Sequence, residues 1–217
     1  LSYKYPFKRK ASGAKKPLVI DHAIYETGLH VFADGACEPN PGPGGWGFAV
    51  YEDGREIHSE SGGSPETTNN IMEMTGALRA LRWLAKNRAD RKVKLHCDSM
   101  YVVNGCNSWR HKWKKNGWSR KGANSPKKED GEVKNLDLWK ELDAALATYP
   151  LELTWCKGHA GIKGNERADE LSVQAMPKAL SSVTRNVTSV TSNASGAEPE
   201  ESGDYLTRQY LQTMSGA

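Results

Sequence analysis

Apolar and polar positions alternate through LHVFADGAC from Leu29, a strand pattern that ends in the turn-rich segment EPNPGPGGWG. GFAVYED reads as a second strand, and Asp53-Gly54 marks a hairpin turn into a third, REIHSES. After GGSPETTNN the period changes: Met74, Leu78, Leu81 and Ala85 recur at helical spacing, with Thr68 or Asn69 placed to cap the helix. KVKLHCD is a strand with Val93, Leu95 and Cys97 on one face. A second helical region starts near Ser99, and LDLWKELDAALATY forms a third helix with Leu138, Leu142, Ala145 and Tyr149 on one side. LELTWCK is the last strand, and GNERADELSVQAM the last helix, capped by Asn165.

The order β-β-β-α-β-α-α-β-α predicts an α/β fold with a five-stranded mixed sheet flanked by helices. A right-handed crossover sets the fourth strand parallel to the first, so the ends of LHVFAD and KLHCD come side by side. The periodic pattern occupies residues 29–176, which is the expected folded domain. Residues 1–28 read as a basic, flexible extension and residues 177–217 as a Ser/Thr-rich flexible tail. Within the tail only Tyr205, Leu206, Tyr210, Leu211 and Met214 have amphipathic spacing.

A chain of 217 residues has room for one full core, and no apolar run approaches the roughly 20 residues that span a bilayer. No secretory signal pattern is seen at the N-terminus, and the four cysteines, Cys37, Cys97, Cys106 and Cys156, fit neither a metal clip nor a disulfide framework. The expectation is a soluble cytoplasmic monomer with reduced, buried thiols and no membrane partner.

Charge is distributed unevenly. Residues 1–17 carry six Lys/Arg and no acid, and residues 109–128, WRHKWKKNGWSRKGANSPKK, carry eight and no acid, whereas the remainder of 18–176 holds 13 basic against 22 acidic residues. A basic protrusion on an acidic body implies a polyanionic partner that touches one feature and avoids most others.

Two carboxylates, Asp34 and Asp98, end the strands that the crossover makes neighbours, so they share one crevice. Glu73 lies one turn inside the first helix among apolar residues, and Asp169 about one turn into the last. Singly, each acid is explained by turn chemistry, a first-turn helix charge or a solvated face. Clustered, the four repel one another and raise each other's pKa unless divalent cations neutralise them, and Mg²⁺ or Mn²⁺ suits such oxygen ligands.

ADGACEPNPGPGGWG, ETTNNIMEM, CDSMYVVNG, WRHKWKKNGW, VKNLDLW and KGHAGIKGNERADELS closely resemble, in order and spacing, the successive motifs of type 1 ribonuclease H. The resemblance covers roughly residues 29–176. It implies a ribonuclease H fold and a metal-dependent endonuclease that cleaves the RNA strand of RNA/DNA hybrids, leaving 5′-phosphate and 3′-hydroxyl ends. By position, Asp34, Glu73, Asp98 and Asp169 match the family's metal-binding carboxylates, which hold two Mg²⁺ ions, with Asp34 shared between them. His159 matches its catalytic histidine. Asn40, Asn69 and Asn70 match positions that meet the RNA 2′-hydroxyl in the minor groove. Tyr101 and Trp109 match the DNA-strand channel, and Thr68 and Asn135 its phosphate pocket.

In the protrusion, Arg110, Lys112, Lys114 and Lys115 supply phosphate affinity between Trp109, Trp113 and Trp118, and Trp113 and Trp118 serve equally well as core. The chain departs from the resemblance at Glu66, where well-known members carry Arg, and at Ile71, commonly basic. Three alternatives stay open: the nuclease domain of a reverse transcriptase, which predicts polymerase sequence upstream; a catalytically silent hybrid-binding module; and a related-fold nuclease that cuts DNA junctions.

Overall fold

The computed structural model describes residues 21–121 and 131–177. The expected flexibility of residues 1–20 and 178–217, including the amphipathic tail segment, lies outside the described residues.

Five strands, β1 (Leu29–Cys37), β2 (Gly42–Glu52), β3 (Arg55–Thr67), β4 (Val93–Cys97) and β5 (Leu153–Trp155), form one sheet in the order β3-β2-β1-β4-β5. β1 pairs antiparallel with β2 and parallel with β4, and β5 is parallel to β4. The hairpin turn falls at Asp53 and Gly54, both at positive φ (47° and 81°), the combination a two-residue turn needs to match strand twist. Around the sheet run α1 (Asn69–Asn87), α2 (Met100–Asn104), α3 (Arg110–Lys115), α4 (Leu136–Thr148) and α5 (Lys163–Gln174), with a π-helical turn, Gly105–Trp109, joining α2 to α3.

Strand alternation divides the core between the two faces. Val31 and Ala33 of β1 join Met74, Leu78, Leu81, Trp139, Leu142 and Leu146 from α1 and α4, whereas Phe32 joins Tyr51, Ile162, Ala168 and Leu171 beneath α5. Thr68 is the cap of α1: its hydroxyl accepts from the Ile71 N–H at 3.4 Å. All four cysteines are free and buried, Cys97 ending β4. No helix among the described residues is long and apolar enough to cross a membrane.

The structure corrects the pattern reading in four places. β3 does not stop after REIHSES but continues through GGSPET to Thr67, because its Gly63 and the facing Gly45 of β2 leave room for the C-terminal end of α5 to lie on the backbone. The buried side of α4 is Trp139, Leu142 and Leu146 rather than the row through Leu138 and Ala145, since the indole of Trp139 fills the space against Gly105. Asn165 does not cap α5. Ile162 holds that position and Asn165 is buried inside the first turn. Finally, residues 21–28 are packed: Gly28 and Tyr25 hydrogen-bond the β2–β3 turn, and Ile24 and Tyr25 lie against the core under α5.

Candidate active site

The β1–β4 register pairs Phe32 with His96, so two residues further on Asp34 comes beside Asp98 just past the end of β4. Asp34 lies within β1 rather than at its end, with its Cα partner at Gly47 of β2. Glu73 reaches them because β1 and α1 touch backbone to backbone. A Cβ placed on Gly35 would fall on the Met72–Glu73 peptide, so no other residue fits there without moving the helix. Asp169 projects from α5, and the Gly158–Gly161 turn brings in His159, with Gly158 against the Asp98 carboxylate. The resulting cleft, about 450 Å³, is lined by Asp34, Gly35, Ala36, Asn69, Glu73, Asp98, Gly158, His159 and Asp169.

All four sequence-predicted carboxylates and His159 thus meet in one place. Asp34 is 7% exposed, and burial first, then repulsion from Asp98, pushes its pKa up to about 8, against the single opposing hydrogen bond from the Gly35 N–H at 2.7 Å. Burial likewise lifts Glu73 to about 7, although Ser99 and Asn69 hydrogen-bond its carboxylate, the Asn69 amide donating at 2.9 Å. The second Glu73 oxygen, Oε2, is buried with no hydrogen-bond partner. Asp98 is held from two sides: its Oδ2 accepts from the Asn165 amide at 3.3 Å and its backbone carbonyl from the Trp155 indole at 3.0 Å. His159 has a well-exposed side chain, a left-handed backbone (φ 48°) and its Nδ1 3.8 Å from Asp169 Oδ2.

Buried carboxylates with an orphaned oxygen and raised pKa values match what a hard divalent cation supplies, and the donor set fits one. Glu73, Asp98 and the Cys97 thiol offer ligand atoms within 4.8 Å of one another. Burial pushes the Cys97 thiol well above its ordinary pKa, and a hard cation prefers carboxylate oxygen to sulfur, so within this group Glu73 and Asp98 are the better-suited donors.

The remaining predicted residues do not line the cleft. Asn40 sits beside it, its Oδ1 accepting from the Asn69 N–H at 3.2 Å, and Asn70 is exposed on α1. Tyr101, Trp109, Trp113 and Trp139 form one aromatic cluster, with Trp109 exposed and the Trp139 indole donating to the Tyr101 hydroxyl at 3.2 Å. Asn135 precedes α4 at φ 57°. The four protrusion cations are not equivalent. Arg110 and Lys114 both bind buried Asp143, the Lys114 contact at 2.7 Å, while Lys112 and Lys115 are exposed. Burial would raise the Asp143 carboxyl, and the hydrogen bonds from Lys114 and Arg110 outweigh it and hold the pKa below the usual range. Pattern reading missed Ser99 and Asn165 as partners of the acids.

A cleft that gathers four carboxylates beside the parallel strands of this sheet suits divalent-metal chemistry on a phosphate ester, as in hydrolases of the nuclease class. The ribonuclease H family profile matches residues 26–177, and the chain belongs to the ribonuclease H family, in its type 1 branch. It is 48% identical over 148 residues to the ribonuclease H of Rhizobium meliloti (strain 1021), covering 68% of this chain and 90% of that protein. It is 49% identical over 142 residues to that of Rhodopseudomonas palustris (strain TIE-1), covering 65% and 84%. Among solved structures it is similar to LC9-RNase H1, described as a type 1 RNase H with the type 2 active-site motif, at 32% identity and a TM-score of 0.57 over 68% of this chain and 71% of that one.

Proposed function

We propose that this chain is an endoribonuclease that hydrolyses the RNA strand of RNA/DNA hybrids, leaving 5′-phosphate and 3′-hydroxyl ends, with two Mg²⁺ ions held by Asp34, Glu73, Asp98 and Asp169. The observation that carries the reading is the convergence of these four acids, two with raised pKa values, on one open cleft in a ribonuclease H fold. When bound, divalent cations neutralise the scissile phosphate, activate water and stabilise the leaving oxygen, and Mn²⁺ is an acceptable substitute. Asp34, the most enclosed of these four acids, would be the ligand common to both ions. Asn165 and Ser99 orient Asp98 and Glu73. His159, at the exposed rim, takes up or delivers a proton as product leaves.

Recognition of RNA follows from the amides at the cleft edge. With its amide committed to Glu73, Asn69 keeps a free carbonyl acceptor, and Asn40, accepting from the Asn69 N–H, keeps its amide donors. Together they suit a 2′-hydroxyl, which both donates and accepts. Asn70 extends the same edge. The DNA strand runs over Tyr101 and Trp109, with its phosphate held by Thr68 and Asn135. The four buried, unpaired thiols support a reducing compartment, the cytoplasm, and the protein acts as a monomer.

Matched labelled RNA/DNA, RNA/RNA and DNA/DNA duplexes, each with Mg²⁺ and with EDTA, test the reading. RNA/DNA alone is expected to be cut, in Mg²⁺ alone, and DNA/DNA cleavage at a comparable rate would refute it. His159→Ala is expected to slow multiple turnover by about 10²-fold, less than the loss of any carboxylate, because solvent partly replaces a proton carrier. Equal losses for His159→Ala and Asp34→Asn in steady-state assays would rule out that role.

Neutralising Lys112 and Lys115 together is expected to raise KM with little change in kcat, since remote phosphate contacts bind ground and transition states alike. The log-log salt slope of hybrid binding should become shallower by about 1.4 to 1.8, at roughly 0.7–0.9 per contact. Adding Lys114→Gln should change the slope less than either, because that ammonium already neutralises Asp143. An equal decrement for all three lysines would show that Lys114 leaves Asp143 for phosphate.

A further inference from the structure

We propose that residues 21–28 form a strap that positions the His159 loop, with His22 as the positioning residue; the catalytic consequence rests on the role given to His159 above. The loop needs such support. His159, a non-glycine residue, is held at φ 48°, a left-handed backbone that persists only where its surroundings over-determine it, while Gly161 at 75° lets the chain turn back without strain. The peptide groups of Gly161 are gripped from two sides. Its N–H donates to Glu166 Oε1 of α5 at 2.8 Å, and its carbonyl accepts from His22 Nδ1 at 3.2 Å, across 139 positions of sequence.

The segment bearing His22 is itself anchored. The Tyr25 carbonyl accepts from the Gly54 N–H at 3.0 Å, and the Tyr25 ring meets Tyr51 edge-on at 5.2 Å between centroids. Ile24 and Tyr25 pack on the cluster that contains Ile162, the residue following Gly161, and the Lys163 ammonium lies 5.6 Å from the Tyr25 ring. The strap therefore holds the loop at its carbonyl and at the first residues of α5. His22 does not line the cleft, so its influence on chemistry passes through the loop.

The test uses the full chain with His22→Ala and His22→Asn, the asparagine amide standing where Nδ1 donates. Hydrogen exchange over residues 157–162 should be about three- to tenfold faster in His22→Ala, the scale of one exposed hydrogen bond, and should return toward wild type in His22→Asn. Hybrid-cleavage kcat should fall about three- to tenfold at unchanged KM, and His22→Ala should have no further effect in a His159→Ala background. Unchanged exchange in the loop overturns the proposal, and so does an equal fall in kcat in both backgrounds. A wild-type protein that cuts no hybrid would refute the function proposed above, and the exchange measurement would then decide the strap by itself.

Discussion

Asp34→Asn is expected to abolish hybrid cleavage, by about 10³-fold or more, while raising the melting temperature of the metal-free protein at pH 8. Loss of activity follows from the metal-holding role proposed for Asp34, which lines the cleft with Glu73, Asp98 and Asp169: a neutral amide takes an anionic oxygen donor out of that set. The gain in stability follows from the same burial. Asp34 has a folded pKa of about 8 against 3.8 unprotected, so the folded state binds its proton more tightly than the unfolded chain. Its favourable contribution is fully present below the unfolded value and is lost as pH rises through about 8, where ionisation opposes folding by several kcal/mol in order of magnitude. Metal-free wild type should therefore lose stability from about pH 4 to pH 8, and Asp34→Asn should make that dependence shallower, leaving the part contributed by Glu73, whose pKa burial lifts to about 7.

Near pH 8 the variant should melt at least about 5 °C higher, taking roughly 2–4 °C per kcal/mol for a domain of this size. Mg²⁺ should raise the wild-type melting temperature more at pH 8 than at pH 5.5, since the cation competes with protons for the same oxygens, and should barely move the variant. Calorimetry with EDTA and with Mg²⁺ at both pH values decides this. A variant less stable than wild type at pH 8 without metal would show that the Asp34 charge is already compensated within the protein.

Much of this site is legible in the sequence because it depends on local pattern plus one topological rule. Asp34 and Asp98 follow apolar runs in strands that a right-handed crossover must make neighbours, and Glu73 stands out as an acid at a buried helical spacing. Asn165 misleads for a local reason too: an Asn at the start of an acidic helix matches the N-cap pattern. It serves instead to join the Cys156 thiol, 3.1 Å away, to Asp98. The protrusion shows the opposite limit. Arg110, Lys112, Lys114 and Lys115 look alike in sequence, and only the packing of α4 against this helix reveals that Asp143 binds two of them. The contact of His22 with Gly161 has no local signature at all, since nothing within either segment specifies a partner 139 residues away.

The second large effect concerns the fold's hold on the site. Gly35→Ala is expected to inactivate the enzyme and to lower the melting temperature by roughly 6–12 °C, an overpacking penalty of about 3 kcal/mol. The added methyl would meet the Met72 carbonyl carbon and the Glu73 nitrogen and Cα, which are backbone atoms and cannot turn aside as a side chain would. Relief requires α1 to move away from β1. That motion carries Glu73 from Asp34 and opens the buried contacts of Met72 and Met74. Both Gly35→Ala and Asp34→Asn should be inactive and bind Mg²⁺ weakly by titration calorimetry, yet their metal-free melting temperatures at pH 8 should shift in opposite directions. The difference separates loss of a ligand from loss of the geometry that assembles the ligands. A Gly35→Ala protein with wild-type melting and Mg²⁺ affinity would mean that β1 and α1 can part without disturbing the carboxylates, and the close packing at Gly35 would then have no part in building the site.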